Sequence, residues 1–220
     1  MQNVGRGSGA SLIKALNPAA WHRFGIGLTG TASCSAWADQ SGNGRNLVQA
    51  TGTLQPLIQP DRSLLFDGVD DFMQTSTFTL NQPNTTYVLL KQVTWTAAGN
   101  RITEAIVATV GILQRVSSPI IGIAAGSTVI TDSNLTVGNY GIAAVVFNGA
   151  SSLLQVNNNA PTTANAGASN YDGFTLGASG GGSVPTNIQV KEDILFSGAH
   201  DANTRRQVIN YLAQVGNISV

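Results

Sequence analysis

The sequence predicts an all-β fold, a sandwich or a barrel, with one short C-terminal α-helix. From Leu12 onward, short apolar or alternating runs are separated by Gly, Pro, Asn and Asp, a spacing typical of strands joined by turns and not of βα units. The 220 residues suffice for one large β domain. Because only 10% of the residues are charged, the predicted surface consists largely of Ser, Thr, Asn, Gln and Gly.

The first element along the chain is predicted to be an arm. Residues 1–16 are rich in Gly, Ser and polar side chains, so we expect a flexible N-terminal arm that becomes ordered only on a neighbouring subunit. Residues 17–220 then form the folded domain. The arm residues assigned to assembly contacts are Val4, Arg6, Leu12 and Ile13.

Eleven strands follow the arm. They are predicted near residues 63–67, 71–75, 86–94, 104–109, 111–116, 119–124, 127–130, 140–147, 151–157, 173–177 and 188–196. The runs 87–95 and 141–147 are too continuously apolar for strands with one face in water, so both are placed at the centre of the fold.

Turn chemistry connects these strands. Asn148-Gly149 is a strong signal for a type I′ turn and predicts a hairpin between 140–147 and 151–157. Residues 157–169 are predicted to form a surface excursion, because they are rich in Asn, Ala, Thr and Gly. The Gly-rich segment 177–183 lacks the lysine and the following helix of a phosphate-binding loop, so it is interpreted as a flexible turn.

The last element is the predicted helix. Asp201 can cap it, Arg205 and Arg206 fall on its polar face, and Gly216 is positioned to end it. Its apolar stripe consists of Val208, Ile209, Tyr211, Leu212 and Val215.

Charge and cysteine content exclude several classes of protein. Eleven basic residues balance eleven acidic ones, so no net field attracts nucleic acid or an anionic membrane, and the low net charge favours a homo-oligomer. Cys34 stands alone, which excludes an intrachain disulfide.

The chain has no apolar run long enough to span a bilayer. Its N-terminus does not look like a secretory signal, so synthesis in the host cytoplasm is expected.

Three motifs follow one another along the chain. They are Trp37-x-Asp-x-Ser-Gly-Asn-Gly-x-x-Leu47, Leu65-Phe-Asp-Gly-x-x-Asp71, and Ile194-Leu-Phe196 with Thr204-Arg-Arg-Gln-x-x-x-Tyr-Leu212. In this order they resemble the concanavalin A-like lectin/glucanase jelly rolls of the laminin G-like type, over about residues 17–216. The resemblance implies a two-sheet antiparallel jelly-roll sandwich with the C-terminal helix against one edge. Such modules occur in bacterial surface proteins and in tailed-phage virion proteins, and the fold alone does not transfer a function.

A search for catalytic residues finds no complete set. A glycosidase needs two carboxylates about 5–10 Å apart. Glu104 and Glu192 are the only glutamates, and strand alternation places the adjacent Glu192 and Asp193 on opposite faces. The two histidines, His22 and His200, could form a pair if the sandwich brings its ends together, but a packed residue and a loop residue explain them more simply. We therefore predict that the protein is not an enzyme.

Asp67, Asp70 and Asp71 are the candidate metal ligands. Their carboxylates are the oxygens that Ca²⁺ takes, and calcium is the one cofactor that the sequence suggests. Their spacing departs from the Asp-x-Asp-x-Asp-Gly loop, and turn capping is the favoured explanation for Asp67 and Asp70.

Sugar binding needs exposed rings and nearby hydrogen-bonding groups. Trp95, at the end of its strand, and Tyr171, in a loop, are the candidate rings, and Asn157 and Asn159 are the candidate hydrogen-bonding residues. Packing in the core is the alternative explanation for Trp95.

These observations favour a structural protein over an enzyme. The main prediction is a phage virion accessory subunit, namely a capsid decoration or cement protein or a head or tail surface protein, located on the virion and bound to other virion proteins and to copies of itself. The alternative is a lectin-like adhesion module that binds cell-surface polysaccharide. A degenerate glycan hydrolase or lyase is the third reading.

Overall fold

The computed structural model describes residues 4–126 and 133–220. This part of the chain forms two helices and two antiparallel sheets, which stack in three layers. The predicted all-β sandwich with a C-terminal helix is therefore confirmed, and a second helix is added at the N-terminus. The strand predicted at 127–130 lies outside the described residues.

The helices and strands are numbered in chain order. The helices are α1 (Val4–Ala15) and α2 (Ala202–Gly216). The strands are β1 (Ala20–His22), β2 (Leu28–Thr29), β3 (Ala36–Trp37), β4 (Leu47–Val48), β5 (Leu57–Ile58), β6 (Leu64–Asp67), β7 (Met73–Gln74), β8 (Asn84–Gln92), β9 (Arg101–Glu104), β10 (Val110–Gln114), β11 (Ile120–Ala125), β12 (Ser133–Asn134), β13 (Tyr140–Phe147), β14 (Ser152–Val156), β15 (Thr162–Ala164), β16 (Thr175–Leu176) and β17 (Asn187–Ser197).

The strands form an eight-stranded sheet A and a nine-stranded sheet B. Sheet A has the order β15-β14-β13-β8-β17-β6-β5, and β1 also pairs with β17. Sheet B has the order β12-β11-β10-β9-β16-β7-β4-β3-β2. The long strands β8, β13 and β17 thus lie side by side in the middle of sheet A, as their apolar composition predicts.

Sheet A separates two apolar clusters. One cluster lies between the sheets and contains side chains such as Trp37, Phe66 and Phe147. The other lies between sheet A and the helices and contains Tyr87 and Leu212 among others. The continuous apolar runs of β8 and β13 follow from this arrangement, because both faces of these strands are buried. The helix α2 packs across the face of sheet A and contacts β13, so the expected position against one edge is wrong.

The expected flexible arm contains α1. Ile13 is fully buried in the helix-side cluster, and Leu12 is half-buried beside α2. Gly9 permits the contact between the helices, because a Cβ atom there would lie 2.4 Å from a ring carbon of Tyr211. The glycines that suggested flexibility therefore include one that allows close packing. The proposed boundary between arm and domain stays a prediction.

The helix α2 follows its sequence signals closely. The Asp201 side chain accepts a hydrogen bond from the Thr204 backbone N–H, and the predicted apolar stripe is buried. Two details differ. The helix ends at Gly216, as predicted, but the residue in the left-handed conformation that caps it is Asn217 and not the glycine. Arg205 is buried, because its guanidinium donates hydrogen bonds to the Gln155 side chain and to the His200 carbonyl.

The predicted hairpin of β13 and β14 is confirmed, with Val146 opposite Leu153. Its connection is a short 3₁₀ turn over Gly149–Ser151. It is not the predicted type I′ turn, since Asn148 has a negative φ that this turn type does not allow.

The strand predicted at 104–109 ends instead at Glu104, since the following backbone N–H groups donate hydrogen bonds to the Asp172 carboxylate. Among the described residues, no helix is long and apolar enough to cross a membrane.

Candidate functional site

A β-bulge in β17 determines which side chains reach the outer face of sheet A. Val190 pairs with Leu90 and Glu192 pairs with Leu89, so Lys191 is an extra residue in the strand. The side chains of Lys191 and Glu192 therefore both lie on the outer, helix-side face, and Asp193 turns inward. Bulges commonly redirect side chains in this way beside functional sites.

The Glu192 side chain is buried between β1 and α2 and accepts three hydrogen bonds. Its Oε1 atom accepts from the Trp21 indole N–H and from the Tyr211 hydroxyl, both at 2.7 Å. Its Oε2 atom accepts from the Phe24 backbone N–H at 3.1 Å. Burial raises the pKa of Glu192, and these hydrogen bonds and the charge of Arg23 oppose that rise.

A cavity of about 110 Å³ opens beside this carboxylate. We call it the Glu192 pocket; Arg23, Phe24, Ile26, Glu192, Tyr211 and Val215 line it. Ile26 is exposed and Phe24 is half-buried, so the mouth of the pocket is apolar. A buried carboxylate with a raised pKa, next to an arginine and an apolar mouth, is typical of a ligand site.

A basic strip continues from the pocket across the part of sheet A that the helices leave uncovered. It consists of Phe24, Asp61, Lys91, Tyr140 and Lys191. The Lys191 ammonium lies 4.2 Å from the centre of the Tyr140 ring and 5.3 Å from that of Phe24, and its Nζ atom is 3.5 Å from a carboxylate oxygen of Asp61. The Lys91 ammonium lies 5.1 Å from the centre of the Tyr140 ring. Burial raises the pKa of Tyr140 to about 12, so this phenol is neutral.

The two histidines do not meet. The His22 Nδ1 atom lies 2.8 Å from Asp193, its Nε2 atom lies 2.8 Å from the Arg45 carbonyl, and the side chain is fully buried between the sheets. Burial alone would lower the pKa of His22, but the Asp193 carboxylate raises it. His200 contacts the Tyr87 hydroxyl on the helix side of sheet A, and burial lowers its pKa to about 4. A joint base or metal pair is therefore excluded in this conformation.

The first sequence motif, residues 37–47, has a structural role, because its polar side chains hold neighbouring backbone segments together. Asp39 accepts hydrogen bonds from the backbone N–H groups of Trp21, Ser41 and Arg45, and these bonds lower its pKa against the effect of burial. The Asn43 side-chain amide donates to the Ala19 carbonyl. The motif therefore ties β1 to the loop after β3, and it leaves no carboxylate of its own for a ligand.

The glutamates lie on opposite sides of the molecule. Glu104 is on the outer face of sheet B, where its carboxylate oxygen is 2.8 Å from the Arg101 guanidinium nitrogen. Burial raises the pKa of Glu104, and Arg101 opposes that rise. Glu192 is on the outer face of sheet A. Because stacked sheets are about 10 Å apart, the two glutamates cannot act on one glycosidic bond. Glu192 and Asp193 point to opposite faces of β17, as the sequence predicts.

The three predicted metal ligands do lie together. Single carboxylate oxygens of Asp67, Asp70 and Asp71 are all within 4.8 Å of one another. The Asp67 Oδ1 atom also accepts backbone N–H groups across the turn, which Gly68 allows with a φ of +77°. Burial raises the pKa of Asp71 to about 6, and Asp67 and Asp70 add to the rise. This geometry is compatible both with turn capping and with a cation, so calcium binding stays a prediction.

The four predicted sugar-binding residues differ in how far their side chains are exposed. Tyr171 is fully buried between the sheets against Phe147 and Phe174, so its ring offers no face to a sugar, and its assignment is wrong for this reason. Trp95 is half-buried in the loop after β8, and its indole N–H has no hydrogen-bond partner among the described residues. Asn157 is used structurally, because its side chain accepts the Ile142 backbone N–H.

Asn159 alone of this group is freely exposed. It lines a shallow surface hollow with Ile120, Ser133 and Asn134. Trp95, Asn157 and Asn159 lie at one end of sheet A, since β8 and β14 both run antiparallel to β13 and end there. The glycan role of these three residues stays a prediction. So does the assembly role of Val4 and Arg6, which lie in α1, and of Leu12 and Ile13.

Sequence reasoning missed the Glu192 pocket and the basic strip. The residues come from the loop after β1, the loop before β6, the strands β8, β13 and β17, and α2, and the strand pairing brings these segments together. One signal was available: the charged triplet Lys191-Glu192-Asp193 interrupts an otherwise mostly apolar strand, and Lys91 interrupts the apolar run of β8. Charges inside buried strands are costly unless a partner or a function requires them.

No protein-family model and no curated protein sequence matches the chain. Solved structures do. A GH54 α-L-arabinofuranosidase soaked with 4-nitrophenyl α-L-arabinofuranoside matches with a TM-score of 0.66 and 14% identity over 84% of this chain. The sialidase of Trypanosoma rangeli, in complex with 2,3-difluorosialic acid, matches with a TM-score of 0.67 and 9% identity over 99% of this chain. The chain spans 51% of the first protein and 39% of the second.

At these identities the likeness concerns the fold, a two-sheet β-sandwich of the kind found in carbohydrate-active enzymes. The prediction of a phage virion accessory protein is wrong on this comparison, because the matching structures named here are an arabinofuranosidase and a sialidase. The error arose because a neutral polar surface and a missing glutamate pair were assigned to assembly, and both are equally compatible with a sugar-binding surface.

Proposed function

We propose that this chain is a lectin-like carbohydrate-binding module of the concanavalin A-like type, and that sugar binds at the Glu192 pocket and the adjoining basic strip. Sugars present apolar C–H faces and a fringe of hydroxyl groups. Protein sites for them combine partly exposed rings with charged or amide groups that fix orientation. Phe24, Tyr140, Arg23 and Lys91 offer this combination on one continuous surface.

The observation that carries the proposal is the position of Phe24. Its ring lines the pocket and also lies beside Lys191, so the pocket and the strip are one surface and not two. Phe24 is half-buried, and its backbone N–H donates to Glu192, which holds this part of the loop in place. The structural neighbours act on or bind sugars according to their names, including arabinofuranosyl-xylobiose and sialic acid, which supports a carbohydrate as the ligand class.

Binding explains the site better than hydrolysis. The described residues contain no second carboxylate that shares the pocket with Glu192. Both oxygens of Glu192 already accept hydrogen bonds from protein donors, so the group is committed to holding the site together. Since the chain spans only part of each neighbour, we propose binding alone, with surface polysaccharide as the natural partner.

The test is a glycan-binding experiment with matched aromatic variants. The wild-type protein is screened against plant, bacterial and animal oligosaccharides, and the affinity of each ligand found is measured by calorimetry. Phe24→Ala and Tyr140→Ala are each expected to weaken binding at least tenfold, because each removes one ring of the surface. Phe72→Ala, a half-buried phenylalanine outside this surface, serves as the control and is expected to bind like wild type.

Two outcomes would overturn the proposal. One is that folded wild-type protein binds none of the oligosaccharides at millimolar concentration. The other is that Phe24→Ala and Tyr140→Ala, with wild-type circular dichroism spectra, bind as tightly as the control. Release of reducing sugar by the wild type, abolished in Glu192→Gln, would replace the lectin proposal with an enzymatic one.

A further inference from the structure

We infer that the surface formed by the Glu192 pocket and the basic strip selects acidic glycans, those whose sugars carry a carboxylate. This inference rests on the proposed function and names its ligand class. The observation behind it is local charge: Arg23, Lys91 and Lys191 all lie on this surface. The whole chain has eleven basic residues and no net charge, so attraction of an anion must come from such a concentration and not from an overall field.

The three cations differ in how far the protein neutralises them. The Lys191 ammonium faces Asp61, and its side chain is only 12% exposed, so its charge is largely used within the protein. Arg23 and Lys91 form no ion pair within 4.0 Å among the residues that the structure describes. Both are half-buried at the edge of the surface. They are therefore the two cations available to a ligand.

Among the described residues the carboxylates of this surface form no ion pair with Arg23 or Lys91, although the charge of Arg23 opposes the rise of the Glu192 pKa. Both oxygens of Glu192 accept hydrogen bonds from protein donors, namely the Trp21 indole, the Tyr211 hydroxyl and the Phe24 backbone N–H. Asp61 is engaged by Lys191 and by the Ser63 hydroxyl and backbone N–H. An incoming carboxylate therefore meets unpaired cations with the local anions already occupied.

The aromatic rings beside the two cations determine which class of anion fits this surface. The Arg23 guanidinium carbon lies 5.4 Å from the centre of the Trp21 ring, and the Lys91 ammonium lies against Tyr140, so each cation is held beside an aromatic face. A ligand that presents an apolar ring face and a carboxylate together satisfies both groups. An acidic pyranose has this structure, whereas inorganic phosphate or a flexible acidic peptide lacks the rigid apolar face.

The experiment compares ligands that differ only in the carboxylate. Trigalacturonic acid and sialyllactose are each paired with their own methyl ester, at pH 7 and at 50 and 300 mM salt. At least one acid is expected to bind tenfold or more tightly than its neutral partner and to weaken severalfold at the higher salt. Lys91→Gln and Arg23→Gln are each expected to weaken binding of that acid about tenfold more than binding of its neutral partner.

Arg206→Gln is the matched control. It removes the same charge from the solvent-exposed face of α2 and is expected to bind like wild type. Thermal unfolding of Arg23→Gln and Lys91→Gln checks that both fold. The inference is overturned if neither acid binds more tightly than its neutral partner, or if Lys91→Gln and Arg23→Gln retain the preference. In those cases binding of neutral oligosaccharides would keep the proposed function, and silence toward every sugar would remove both.

Discussion

The outer face of sheet A has two halves, which the same three strands form. The halves differ in the side chains that they present and in how far those side chains are buried. Under the helices, β8, β13 and β17 present Tyr87, Ile142 and Phe196, which are fully buried. Beyond the end of α2, the same strands present Lys91, Tyr140 and Lys191, which are half-buried. We call these the covered half and the open half. The change occurs within a few residues along each strand.

This contrast indicates that the side chains of the open half are suited to contact with solvent, and that this half is not a core face that has lost its cover. Apolar strand faces that lose their cover invite association. Here each strand changes to an amphipathic residue where the helix layer stops, and the lysine stems cover the apolar surface between the rings. The covered half should therefore contribute to stability and the open half to recognition. Four variants test this division and the turn beside it, beginning with the largest expected effect.

Leu212→Ala removes a fully buried side chain from the covered half. It is expected to lower the free energy of unfolding by about 2–4 kcal/mol, through lost burial and the cavity left beside β13. Urea unfolding measures the change, and Gln214→Ala, on the exposed side of the same helix, is the control expected to lie within about 0.5 kcal/mol of wild type. A loss below about 1 kcal/mol for Leu212→Ala would indicate that the helix layer contributes little.

Glu192→Gln probes the boundary between the halves. The variant places an amide N–H₂ group against the Phe24 N–H or the Trp21 and Tyr211 donors, so we expect a loss of about 1–2 kcal/mol at pH 4.5. Because the pKa of Glu192 is raised, the folded wild type keeps this proton to a higher pH than the unfolded chain does. The free energy of unfolding of the wild type therefore falls as the pH rises from the ordinary glutamate pKa through the raised one. The difference in unfolding free energy between wild type and variant should therefore be smaller at pH 8 than at pH 4.5. Urea titrations at both pH values measure it, and a deficit that grows with pH would contradict the assignment.

Asp71→Asn tests the acidic turn at the end of β6, beyond the open half. The pKa of Asp71 is raised to about 6, so the ionised carboxylate destabilises the fold above that pH. The variant is expected to gain about 1 kcal/mol at pH 7.5 and nothing at pH 4, as measured by thermal unfolding. Asp61→Asn is a control of opposite sign, because hydrogen bonds from Ser63 and the charge of Lys191 lower the pKa of Asp61 despite its partial burial.

The same variant tests calcium binding. If the three aspartates hold Ca²⁺, millimolar calcium should raise the unfolding midpoint of the wild type and leave that of Asp71→Asn unchanged. An equal response of both proteins would remove the turn as a metal site.

Lys191→Met is expected to give the smallest change in stability. It removes an ion pair with the exposed Asp61 and two ring contacts, and retains the apolar stem. Contributions of this kind amount to about 1 kcal/mol or less. Urea unfolding measures the change. A loss as large as that of Leu212→Ala would show that the open half also serves stability, and would break the contrast between the halves.

Much of the fold could be predicted because local patterns determine it. The runs of β8 and β13 are apolar on both faces, which places them at the centre of a sheet, and Asp201 with the stripe ending at Val215 defines α2. The helix α1 was missed because its glycines disfavour a helix in isolation. The docking of Ile13 and the close approach at Gly9 stabilise it, and these are tertiary contacts.

The candidate site could be predicted far less well. Phe24 and Tyr140 reach one surface only through the pairing of β1 and β13 with strands distant in sequence. Tyr171 is predicted to bind sugar because the sequence places it in a loop, but Tyr171 pairs with Leu80 and its ring is buried in the core. The bulge at Lys191 leaves no pattern in a single sequence, since the strand is equally plausible with or without the extra residue.

That bulge has an evolutionary consequence. Deleting the single codon of Lys191 would restore regular alternation after Val190, so Glu192 would still lie opposite Leu89 on the outer face and Asp193 would still turn inward. The carboxylate of the pocket would keep its place, and the strand would lose only the lysine with its two ring contacts. Inserting three nucleotides into the gene of a regular strand therefore suffices to add this cation to the surface without a new scaffold.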